Sequence, residues 1–80
     1  MATGNDTDLA EMGVGELTDI AVKKAAQLRS LLCMTYGEAA DVFQRMSKAA
    51  QEDYLWACSD LADGVCQALA QVESKEVQHG

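Results

Sequence analysis

Eighty residues make one small domain, near the size at which a single core is marginal and a second chain, a metal or disulfides usually help. The net charge of −7, from 13 acidic and 6 basic residues, disfavours direct contact with nucleic acid or an anionic membrane, because both would be repelled. Three cysteines, an odd number, and a start without a basic n-region or apolar core argue for free thiols in a reducing cytoplasm and against a signal peptide.

Residues 1–15 mix Gly, Thr, Asn and Asp and read as a flexible acidic leader, with a fleeting turn around Asp8–Met12. From Glu16 to Tyr36, Leu17, Ile20, Ala21, Leu28, Leu31 and Leu32 recur at helical spacing. Lys24 interrupts this stripe, and its stem can lie along it while the ammonium reaches water. Gly37 stops the helix, since it adopts a left-handed backbone freely.

A short second helix, Glu38 to Met46, places Ala39, Val42, Phe43 and Met46 on its apolar side; Ser47 ends it and caps the next. The last helix runs from Lys48 to Glu73. Its stripe comprises Ala50, Tyr54, Ala57, Cys58, Leu61, Ala62, Val65, Leu69 and Val72, widened at one edge by Leu55 and Cys66. The apolar arc covers nearly half the helix, more than one neighbour normally occupies. The tail, residues 74–80, is expected to fray.

The expected architecture is therefore all-α: residues 16–73 form a helical hairpin with a short middle helix, closed into a helical bundle by homodimerisation. Leu28, Leu31, Leu32, Phe43, Tyr54, Leu61, Val65 and Leu69 are the expected core and dimer residues.

No arrangement of residues points to catalysis. The single histidine, His79, lies in the tail, away from any fixed serine or cysteine partner. Asp60 and Asp63 share a helix face, but a working acid needs a desolvated pocket and these lie on the polar side. There is no Cys-x-x-Cys, no second histidine to complete a ligand set and no calcium-loop spacing, so neither a metal nor another cofactor is expected. Gly13 and Gly15 do not form a phosphate loop, because no strand precedes them and Glu16 would repel the anion.

Charge and a single indole carry the functional expectation. Residues 49–74 contain Glu52, Asp53, Asp60, Asp63 and Glu73 and no Lys or Arg. On a helix Trp56 falls in one row with Glu52 and Asp60, four residues to either side, and Asp63 and Gln67 extend that row. A large aromatic among acids on a polar face has the composition of an interface hot spot. Packing by the middle helix, packing by the leader and burial in a dimer contact are the competing explanations for the tryptophan.

Two resemblances bear on these motifs. The run from Gly37 to Leu69, through "F-x-x-M-S" at Phe43–Ser47 and "Y-L-W-A-C-S-D-L-A" at Tyr54–Ala62, resembles a group of small bacterial helical proteins of accessory and mobile genetic material. That group implies no activity and no catalytic residue. In size, acidity and lack of catalytic motifs the chain is similar to phage-encoded inhibitors of bacterial defence, including anti-CRISPR proteins, although no shared motif carries this. The expectation is a non-enzymatic protein that engages the basic surface of a nucleic-acid-handling complex through Glu52, Trp56, Asp60, Asp63 and Gln67. The alternative is a structural or assembly protein whose main contact is with itself.

Overall fold

The computed structural model describes residues 11–79, and the expected leader lies outside them up to residue 10, including most of the turn placed at Asp8–Met12. The described chain is all-α. Helix α1 (Val14–Leu32) leads through two 3-10 turns, Cys33–Thr35 and Gly37–Ala39, into a short α2 (Ala40–Arg45) and a long α3 (Lys48–His79). Helices α1 and α3 pack side by side as a long helical hairpin.

Local chemistry sets the boundaries. Gly13 opens α1 with an extended backbone. Its carbonyl accepts from the Leu17 amide at 3.0 Å, and its own amide donates to Glu16 Oε1 at 3.1 Å, which is the return half of a capping box. Val14 and Gly15, expected in the leader, therefore belong to the first turn of α1. The α-helix ends at Leu32 and not at Tyr36, because the chain tightens into a 3-10 turn in which the Thr35 hydroxyl donates to the Leu32 carbonyl at 2.7 Å. Gly37 then takes φ +69°, the left-handed backbone that lets the chain reverse direction.

Ser47 caps α3, its Oγ accepting from the Ala50 amide at 3.1 Å. The helix continues past Glu73 to His79, so residues 74–79 of the tail expected to fray are helical. Its run of Ser, Lys, Glu, Val and Gln holds no Gly or Pro that would stop it.

Both long helices meet along seams with steps of three and four residues. On α1 the seam is Leu17, Ala21, Lys24, Leu28 and Leu31; on α3 it is Tyr54, Cys58, Leu61, Val65, Ala68 and Val72. This 3.5-residue rhythm is that of coiled-coil packing, which keeps two helices in contact over many turns. Leu17, Ala21, Ala40, Cys58 and Ala68 are the buried core, and Leu17 is the largest fully buried side chain.

The expected core and dimer residues divide by burial. Leu28, Leu31, Phe43, Tyr54, Leu61 and Val65 are half-buried, whereas Leu32 and Leu69 are 37% and 49% exposed. Ala57, expected in the stripe, is exposed, while Ala68 is buried because it continues the 3-4 rhythm from Val65. On α2 the buried residue is Ala40; Val42, and Ala39 in the turn before it, face solvent.

Two contacts fix the antiparallel register. At the closed end the Tyr54 hydroxyl donates to the Leu31 carbonyl at 2.6 Å, one of the last carbonyls of α1 and short of partners within its own helix. Farther along, Lys24 crosses Gly64, where an added Cβ would lie 2.7 Å from the lysine Cδ. The glycine makes room for the stem, which is how a lysine occupies a seam position. Helix α2 is pinned to the start of α3 by the Phe43 and Tyr54 rings, edge to face with centroids 5.3 Å apart. The Gln51 amide reinforces it, donating to the Phe43 carbonyl at 2.9 Å.

Replacing Tyr54 with Phe keeps the ring contact and removes the bond to Leu31. We predict a loss of about 1 kcal/mol in urea unfolding at fixed protein concentration. Gly64→Ala is predicted to gain about 1 kcal/mol of helix propensity in a Lys24→Ala background and less in the wild type, where the lysine stem must move aside. Equal effects in both backgrounds would show that the two residues do not interact.

Candidate functional site: the acidic edge of α3

The seam of α3 faces α1, so residues half a turn away form the outer edge of the hairpin. Glu52, Trp56, Asp60, Asp63 and Gln67 occupy that edge, at steps of four, four, three and four, and all five are exposed. Trp56 is 69% exposed, more than any large apolar residue on either long helix except Val77. Packing by the middle helix therefore does not account for it, because α2 engages Tyr54 instead, through Phe43. The row is continuous over about 22 Å, from Glu52 to Gln67, at 1.5 Å per residue.

The electrostatics of this edge are of one sign. Asp53 flanks the row, and α3 holds no Lys or Arg between Ala49 and Ser74. None of these carboxylates forms an ion pair within 4.0 Å; the exposed bridge between Arg45 and Asp41 lies on α2. The acids thus remain available to cations from outside. A guanidinium suits the edge best, since it can stack on the indole while donating to a carboxylate one turn away.

Chemistry of other kinds finds little here. Among the described residues no three His, Cys, Asp or Glu side chains come together to hold a metal ion. Cys58 is buried in the seam, and Cys33 and Cys66 are exposed free thiols. No described helix is long and apolar enough to cross a membrane. No family model matches the chain, and no curated protein or solved structure matches it.

Sequence reasoning did not find Gln51 or Gly64. Neither residue has a role until its neighbours are placed, because Gln51 acts on carbonyls of α2 and Gly64 acts by lacking a side chain beside Lys24. The nearest signal in the sequence was Lys24 itself, a charge inside an apolar stripe.

With Trp56 open to solvent, acrylamide should quench its fluorescence nearly as efficiently as that of a free tryptophan peptide, at any protein concentration. Strong protection that grows with concentration would place the indole inside a self-contact.

Proposed function

We propose that the chain is a non-enzymatic, cytoplasmic protein-protein interaction module whose acidic edge engages a basic surface on a nucleic-acid-handling complex and competes there with the nucleic acid. An inhibitor or regulator of the anti-CRISPR type fits this description. The observation that carries the reading is Trp56, largely exposed on a row with Glu52, Asp60 and Asp63, in a stretch of α3 that holds no Lys or Arg from Ala49 to Ser74. A solvent-facing indole costs solubility and contributes little to the hairpin, whereas against an arginine-bearing partner it supplies contact area and a cation–π face. The acids steer a cationic partner toward that face and add specificity.

A second reading, an assembly protein whose main contact is with itself, is favoured by a different observation. The molecule is 14 Å in its thinnest dimension, little more than one helix diameter, so only one layer of helices is present.

The test is binding of captured partners from host extract, followed by titration of the purified pair. Trp56→Ala is expected to weaken binding tenfold or more, the scale of a hot-spot residue. Asp60→Lys with Asp63→Lys is expected to abolish the steep decline of affinity with salt. Helix content by circular dichroism should stay constant in both, since all three side chains are exposed. Unchanged affinity in both variants would sink the proposal.

A further inference from the structure

A second surface, distinct from the acidic edge, runs along one flat face of the hairpin. On α1 it is formed by Ala25 and Leu32, on α3 by Leu55, Ala62, Cys66 and Leu69. Both sets follow their own seam by four residues: Ala21 to Ala25 and Leu28 to Leu32 on α1, Cys58 to Ala62 and Val65 to Leu69 on α3. Equal rotational offsets on two antiparallel helices fall on the same side of their common plane. The contact between Lys24 and Gly64, offset the other way on both helices, lies on the opposite side. One face is therefore apolar and the other polar.

We infer that a second copy of this chain covers the apolar face, head to tail, closing a four-helix bundle of two stacked hairpins. The inference rests on the second reading above, contact of the chain with itself, and adds the face and the orientation.

Three observations select this occupant. First, Leu32, Leu55 and Leu69 are 37%, 47% and 49% exposed on a molecule one helix thick, and a stable domain needs a second layer to cover such a face. Second, the area suffices. Helix α1 is about 28 Å long and two helices side by side span about 20 Å, so the face projects on the order of 560 Å². Side-chain relief raises its accessible area toward the ~800 Å² per partner of a standard interface. Third, the charges of this face are Arg29 and, one heptad before Leu55, Lys48 beside the closed end, and Glu73 toward the open end. A head-to-tail stack sets the Arg29 end of one copy over the Glu73 end of the other, whereas a parallel stack sets like over like. The residues near the middle, Ala25, Ala62 and Cys66, are small and let the two layers approach closely.

The geometry also places the cysteines. A two-fold axis through the middle of the face, near Ala62, leaves the two Cys66 thiols within a helix diameter of each other. The two Cys33 thiols sit at opposite ends, about 30 Å apart at 1.5 Å per residue.

The experiment is sedimentation of the reduced full chain at micromolar concentration, together with crosslinking by a bismaleimide about one helix diameter in span. A dimer of twice the 8.6 kDa chain is expected, with crosslinks retained in Cys33→Ser and lost in Cys66→Ser. Leu55→Lys with Leu69→Lys is expected to weaken dimerisation at least tenfold, while Trp56→Ala leaves it unchanged. A monomer in sedimentation would overturn self-contact altogether, without touching the partner-binding reading. A dimer without Cys66 crosslinks would overturn the face, and one that crosslinks through Cys33 would overturn the orientation. The wild-type crosslinks remain decisive should the double lysine variant fail to fold.

Discussion

The structure depends on the seam between α1 and α3, and that seam is thin. Its buried members are Leu17, Ala21, Cys58 and Ala68, and one of its positions is given to Lys24. Apart from Leu17 these buried side chains are small; they let two helices run side by side over many turns, but they remove little apolar area from water. Larger residues on the same helices, Leu55 and Leu69 on α3 and Leu32 on α1, keep a third to a half of their surface outside. A hairpin of this composition leaves much of its larger apolar surface outside its own seam. Its radius of gyration, 16.0 Å against about 12 Å for a compact chain of this length, expresses the same imbalance as shape.

The closed end shows how so thin a seam can still hold one register. Apolar residues repeated at heptad spacing tolerate a slip of one heptad. The Tyr54 hydroxyl does not, since it needs the Leu31 carbonyl, and Gly64 does not, since only there is space left for the Lys24 stem. Polar and steric details therefore select the register, while apolar burial supplies the attraction. Helix α2 has a comparable role. Its edge-to-face contact with Tyr54 and the bond from Gln51 hold the reversal of the chain in one geometry, and they orient the tyrosine that reaches α1.

The all-α hairpin was legible in the sequence because periodicity, the stop at Gly37 and the cap at Ser47 are local signals. The outward position of Trp56 was legible for the same reason: a residue two positions after Tyr54 and two before Cys58 faces away from both. Alanine was not legible. Ala57 and Ala68 have the same hydropathy, and only the 3-4 rhythm imposed by α1 buries one and exposes the other. The end of α1 was misplaced because Cys33 and Met34 continue an apolar pattern that a 3-10 turn carries as readily as an α-helix. Residues 74–79 were misplaced because position in the chain was weighed above composition, and nothing in their composition stops a helix.

The two surfaces of the hairpin are geometrically independent, which has a consequence for binding. The apolar face lies about a quarter turn from the acidic edge of α3, so covering the first leaves the second open. In a head-to-tail pair α3 stacks on α3, and both acidic edges come to the same side of the bundle. Each Trp56 then lies about six to eight residues from the two-fold axis, which separates the two indoles by roughly 20 Å along the bundle. A parallel pair would instead turn the two edges away from each other. In the proposed stack the charge of one wall would double and two indoles would face the proposed basic partner, the second contact forming at the high effective concentration set by the first. Weak individual contacts, such as one indole and a few solvated carboxylates make, gain most from that arrangement.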